Sequence, residues 1–226
     1  MKITRKENND TLFQERKRLV NSSTIRTNEA KQILSKLGIV NAPNMSGNAL
    51  QCYYTIAWLY GNRATEIARL HTSDIEVRGN SLAITFQILK KNKNKKNTGR
   101  KSTLELENLV RPTHTKLITL ENRHMHYILE YYDSVRKPGF LFPAPTRTGY
   151  IYAKYAWEGL RKLKTVGVEQ PLWTHLFRHS LATELAKDSD IGVWDMKAWF
   201  DWANAITADE YITSAGREIP SISNRK

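Results

Sequence analysis

Apolar residues at Ala30, Ile33, Leu34 and Leu37 fall at the i, i+3, i+4, i+7 spacing that predicts an amphipathic helix. Tyr53, Ile56, Ala57 and Tyr60 repeat that spacing, and Gly61 closes the second helix. A short third helix is expected to carry Arg63, Glu66, Ile67 and Leu70. The period then drops to two. Ile75 to Arg78, a Gly79-Asn80 turn, and Leu82, Ile84, Phe86 and Ile88 predict a β-hairpin. Leu104 and Leu106 mark a third strand, and Leu117 to Leu120 another short one. Helical spacing returns at Met125, Ile128, Leu129 and Tyr132, ending at Pro138-Gly139. It recurs at Tyr152, Tyr155, Ala156, Leu160 and Leu163, then at Phe177, Leu181 and Leu185 in a helix starting near Thr174. Thr207 followed by Glu210 is a capping-box pattern, which would open a short helix with Tyr211 in its first turns.

The sum is a mainly α (α+β) fold: a helical domain with a small antiparallel three-stranded sheet on one edge. No internal repeat is visible. Residues 1–23 are polar and lack periodicity, so the expected division is a tail over 1–23, a folded domain over 24–215 and a second tail over 216–226.

Composition narrows the function. The chain has 226 residues, 40% hydrophobic and 25% charged, which fits a globular domain with one sizeable core. No apolar run reaches the roughly 18 residues that span a bilayer, and MKITRKENND has no signal-like hydrophobic region. The single cysteine, Cys52, excludes an internal disulfide and sits in an apolar helix, where a buried inert thiol is expected. These features point to the cytoplasm, at the nucleoid or in a host cell if the protein is viral.

A net charge of +13 and a pI near 9.8 call for a polyanionic partner. The densest basic run, Lys90 to Lys101, holds seven basic residues in twelve and none acidic, with Asn and Gly between them. That is a loop rather than an amphipathic membrane helix. Its Lys91, Lys93, Lys95, Lys96, Arg100 and Lys101 are expected to contact a nucleic-acid backbone and release counterions.

The candidate chemistry lies in His175 and Arg178 within THLFRHSLAT, Trp202 and Tyr211 within WFDWANAITADEYI, and Arg63 with Glu66 in GNRATEIARL. Guanidinium forks stay charged and match phosphate oxygens. His175 and Arg178 are three residues apart and so share a helix face. Trp202 offers an indole donor. A phenol of pKa about 10 needs positioning and nearby charge to become a nucleophile. Singly, each has a structural explanation; Glu66 is expected to position Arg63. His71, His114, His124 and His126 read as surface histidines rather than a metal site, and His179 as a packing residue.

In this order and with these local words, the chain from about Thr27 to Ala215 resembles the catalytic domain of the tyrosine recombinase (phage integrase) family. The resemblance implies cleavage of duplex DNA by Tyr211 into a 3′-phosphotyrosyl intermediate, then religation by the released 5′-hydroxyl, with no metal or other cofactor. Arg63, His175, Arg178 and Trp202 would hold the scissile phosphate, with His175 also a base or acid. The family uses a hairpin lysine as acid to the leaving oxygen. If the strand from Leu82 runs on regularly, Lys90 shares its inward face, whereas one bulge would favour Lys91. The implied assembly is a homo-oligomer, dimer to tetramer, on DNA.

Two departures stand out. Asp201 precedes Trp202 where the family has a small residue. Only about 26 residues precede the match, too few for the usual second DNA-binding domain, so the chain is expected to be either an excised catalytic domain or naturally minimal, with weak, salt-sensitive binding. The competing expectations are a type IB topoisomerase-like nicking and closing enzyme, and a catalytically silent DNA-binding protein on the same fold.

Overall fold

The structure is a computed structural model, and it describes residues 24–89, 111–135 and 137–216. Helix α1 (Thr27–Leu37) buries Ala30, Ile33, Leu34 and Leu37, the stripe that its spacing predicts. Helix α2 (Gly47–Tyr60) is the centre of the fold. It reads IAWLY without a polar face at its end, and twelve of its residues are buried. Ser46 caps it, its Oγ accepting the Ala49 N–H at 3.3 Å. Cys52 is fully buried within it, and burial pushes its thiol pKa up, which leaves the sulfur inert.

Around α2 pack α1, α4 (Met125–Val135), α5 (Ala153–Lys162) and α6 (Thr174–Lys187). Gly159 lets α5 come close: a Cβ there would sit 2.5 Å from a methyl of Leu50. The short α3 (Ala64–Ala68) follows α2 after a tight turn, and Tyr53 Oη donates to the Ala64 carbonyl at 2.6 Å to fix its start.

The sheet is antiparallel in the order β1 (Ile75–Arg78), β2 (Ser81–Gln87), β3 (Thr113–Thr119). Gly79 at φ +57° begins the two-residue turn between β1 and β2, as Gly-Asn predicts. The pairing Leu82↔Ile118, Ile84↔Lys116 and Phe86↔His114 fixes the register of β3. Side chains opposite one another share a face, so Lys116 points inward with Ile84 while Leu117 points out. Hydropathy alone would have turned this strand over. The strand expected at Leu104 and Leu106 lies outside the described residues.

A second apolar cluster forms where α6 meets α7 (Val193–Trp199) and α8 (Ile206–Ser214), through Ala182, Ala186, Met196, Phe200, Ala208 and Ile212. Helix α6 is thus covered on both sides and shows no single apolar stripe. Ala205, not Thr207, precedes the first residue of α8, so the capping-box reading misplaced that start. Among the described residues no helix is long and apolar enough to cross a membrane.

Candidate active site

The turn from Tyr60 to Arg63 is where the two halves of the site meet. Gly61 adopts φ +65°, a left-handed conformation that costs glycine little. Any side chain there would also collide, since a Cβ would lie 2.6 Å from Phe200 Cε1 and 2.9 Å from a methyl of Leu181. The carbonyls of this buried turn are then claimed by cations from distant elements. Arg178, buried on α6, donates from Nη1 to the Gly61 carbonyl at 2.6 Å and from Nη2 to the Phe200 carbonyl. Lys116, from β3, donates from Nζ to the Tyr60 carbonyl and to Asn62 Oδ1, both at 2.9 Å.

Glu66 holds Arg63 in place. Its side chain is 1% exposed; Oε1 accepts from Arg63 Nη1 at 2.9 Å, and Oε2 accepts from the Arg63 N–H at 3.0 Å and from Asn62 Nδ2 at 3.2 Å. The Arg63 side chain keeps 32% of its surface exposed, so its guanidinium is braced on one side and open on the other.

Cations crowd here, and their pKa values record it. Burial first, then Arg63, lowers Arg178 to about 10, with Glu66 and Asp201 opposing. Burial, then Arg178, lowers Lys116 to about 7. His175 keeps accessible surface, yet protein atoms surround it closely enough that lost hydration, then Arg178, Arg63 and His179, lower it to about 4. The imidazole of His175 is therefore neutral at neutral pH.

Tyr211 enters from α8. Its ring stacks on Trp202, with centroids 5.4 Å apart and planes at 7°, and Trp202 stacks in turn on Phe200 at 4.7 Å. The Arg178 guanidinium carbon lies over the Phe200 ring at 4.9 Å and the Trp202 ring at 5.9 Å. Burial raises the Tyr211 pKa; Arg178 opposes this and Glu210 adds to it. The hydroxyl is 2.7 Å from His179 Nδ1.

One strand of sequence covers all of these positions. A model of the phage integrase family matches residues 23–217. The chain belongs to the phage integrase family. Solved structures agree in fold. XerH site-specific recombinase bound to difH substrate in a pre-cleavage complex is 15% identical, with a TM-score of 0.57 over 83% of this chain and 49% of that one. XerH in a post-cleavage complex with palindromic difH substrate is 15% identical, with a TM-score of 0.59 over 85% and 50%. XerA recombinase is 16% identical, with a TM-score of 0.60 over 90% and 64%. The chain thus spans between about half and two thirds of the length of these recombinases. Among curated proteins nothing matches.

Within this integrase domain, Arg63, His175 and Arg178 act on one another electrostatically, as do Arg178 and Tyr211, and Trp202 completes the cluster through its ring contacts. Lys90 and the basic residues Lys91, Lys93, Lys95, Lys96, Arg100 and Lys101 lie outside the described residues. Three residues carry more than their sequence reading. His179 meets the Tyr211 hydroxyl instead of merely packing. Lys116 was not singled out; a lysine directly before LIT in a strand is the signal that could have found it. His114 is not a free surface histidine, because its Nδ1 pairs with Asp201 Oδ1 at 3.0 Å.

That pair accounts for the odd Asp201. The residue sits at φ +49°, where aspartate is tolerated better than most, and its carboxylate ties the segment before Trp202 to β3. His124 is buried, not on the surface, and faces the Tyr127 ring at 6.4 Å; burial lowers its pKa. No group of three or more His, Cys, Asp or Glu with metal-binding geometry occurs among the described residues.

Proposed function

We propose that this integrase domain cleaves and rejoins duplex DNA as a site-specific recombinase, with Tyr211 as nucleophile. The observation that carries the reading is the approach of the Tyr211 phenol to Arg178 within the cluster that also holds Arg63, Lys116 and His175. A phosphodiester brought against this cluster meets two guanidiniums able to share its non-bridging oxygens as charge builds in the transition state. The Arg63 fork is open to solvent on the side away from Glu66. The Arg178 fork uses one N–H on each of two carbonyls and keeps its other donors for a ligand. Neutral His175 contributes a hydrogen bond and gains basicity when an anion arrives.

Attack by Tyr211 leaves a 3′-phosphotyrosyl linkage and a 5′-oxygen that needs a proton. Lys116 is 1% exposed, and two of its three N–H bonds are held by the Tyr60 carbonyl and Asn62, which suits it to bracing that turn. Lys90 remains the proposed donor, and Lys116 the brace for the turn that carries Arg63. The basic segment from Lys90 to Lys101 would follow the DNA backbone, and a homo-oligomer on duplex DNA would supply paired strand exchanges.

The test is a nicked suicide duplex incubated with the protein and resolved under denaturing conditions. A slow band linked at the 3′ end, lost in Tyr211→Phe, is expected. No band with the wild type, despite DNA binding, would leave only a silent binding protein. Relaxation of any supercoiled plasmid without a specific site would move the reading to nicking and closing.

A further inference from the structure

We propose that His179 Nδ1 is the acceptor of the Tyr211 phenolic proton. The inference rests on the strand-cleavage reading above and assigns a step that reading leaves open. A phenolate is scarce at neutral pH for a free tyrosine, and the surroundings of Tyr211 make the phenol harder to ionise rather than easier. Proximity of Arg178 is therefore not enough, and a base is required.

Two of the nearby carboxylates are committed elsewhere. Glu66 accepts from Arg63 and Asn62. Asp201 pairs with His114. His175 lies one turn before His179 on α6, beside Arg63 and Arg178. The hydroxyl of Tyr211 is instead bonded to His179 at 2.7 Å, within reach for direct proton transfer.

The fold makes that contact a durable one. Ala208 and Ile212 of α8 pack with Ala182 and Ala186 of α6, which sets the two helices side by side. Trp202 stacks flat on the phenol ring and so resists its turning out of that plane. The imidazole of His179 meets it at 51°, with centroids 5.4 Å apart. Nδ1 takes the proton in the tautomer that carries hydrogen on Nε2.

In the forward step the Oη–H bond breaks toward Nδ1 as the Oη–P bond forms and the bond from phosphorus to the 5′-oxygen breaks. The leaving 5′-oxygen takes its proton from the lysine acid, so His179 ends the step as imidazolium. In religation the 5′-hydroxyl attacks phosphorus, its proton returns to the lysine, and His179 gives its own back to Tyr211.

The test measures single-turnover formation of the covalent adduct on the suicide duplex by the full chain. Its variants are Tyr211→Phe, His179→Ala and His179→Asn, the last able to hydrogen-bond near the Nδ1 position but not to accept the proton. Both His179 variants are expected to bind the duplex normally and to cleave roughly 10²–10⁴-fold more slowly. Difluorotyrosine at position 211, whose phenol ionises more readily, is expected to recover about tenfold or more of the lost rate in the His179→Asn protein. Should His179→Ala fail to fold, the asparagine and difluorotyrosine arms decide the matter. Cleavage by His179→Asn at nearly the wild-type rate would overturn the proposal, reducing His179 to a hydrogen-bonding support. Faster cleavage by His179→Ala would overturn it too, because His179 would then be a latch on the nucleophile. No adduct with wild-type protein would remove the cleavage reading itself, a result distinct from either.

Discussion

Lys116→Met separates the two costs of this site, a buried ammonium and an unsupported turn. The lysine is 1% exposed, donates to two oxygens, and lies 5.2 Å from the Trp199 ring centroid and 5.9 Å from that of Phe200. Burial is the main reason that its pKa falls from 10.5 to about 7, a difference on the order of 5 kcal/mol between folded and unfolded chains. The unfolded lysine binds its proton up to about pH 10.5, and the folded one releases it above about pH 7. Between those values the unfolded state holds more protons, so stability from this group rises with pH. Below about pH 7 both states are charged, and the full penalty for burying the charge is present.

Methionine removes that penalty but leaves the Tyr60 carbonyl and Asn62 Oδ1 without this donor, at roughly 1–3 kcal/mol each. At low pH the two effects nearly cancel, and the variant is expected to be about as stable as the wild type. From about pH 6 to about pH 9 the wild type should gain about 2.5 kcal/mol that the variant does not, and other titrating groups drop out of the difference. Urea unfolding of both proteins at several pH values measures it. A stability difference that stays flat over that range would refute the reasoning, because Nζ would then not titrate in a buried site. Adduct formation by Lys116→Met should fall at every pH, since the turn that carries Arg63 has lost its brace.

Other perturbations follow from the same contacts. Gly61→Ala must adopt a positive φ and push aside Phe200 and Leu181, so a loss of about 2–4 kcal/mol is expected by chemical denaturation, with cleavage reduced as well. Asp201→Gly gives up the His114 contact but relaxes the φ of +49°, whereas Asp201→Ala loses on both counts; the alanine variant should be about 1 kcal/mol less stable than the glycine one by urea midpoint. Sulfate, as a phosphate stand-in, should raise the melting temperature by about 3–6 °C at about ten times its Kd. That rise should vanish in an Arg63→Ala, Arg178→Ala double variant, and calorimetry would show it.

Much of the fold is written in spacing that a reader can count. The stripe Ala30, Ile33, Leu34, Leu37 and the stop at Gly61 appear where expected because each has one cause, an apolar face or a left-handed cap. β3 is harder to read, because Lys116 is buried by partners fifty-odd residues away, and no local pattern announces a carbonyl at Tyr60. Helix α7, rich in tryptophan and short, gave no period to count. The family words marked Arg63, His175, Arg178, Trp202 and Tyr211. They could not reveal that Asp201 answers to His114, or that His179 faces α8, since both depend on how distant elements meet.

The three lowered pKa values share one direction, and that direction says what the site lacks. Arg178, Lys116 and His175 each suffer from lost hydration first and from a neighbouring cation second. The carboxylates that oppose them are already bonded, Glu66 to Arg63 and Asp201 to His114. The fold therefore gathers positive charge that its own residues do not neutralise, and folding bears the cost. An entering phosphate would supply the missing charge, and more fully as attack adds to it, so under the proposed strand cleavage the stability given up here would reappear as preference for the transition state. It follows that relief by mutation should work against function. A variant such as Lys116→Met, which escapes the burial cost in acid, gives up part of the field and the support that hold Arg63 ready, and gains nothing in catalysis for it.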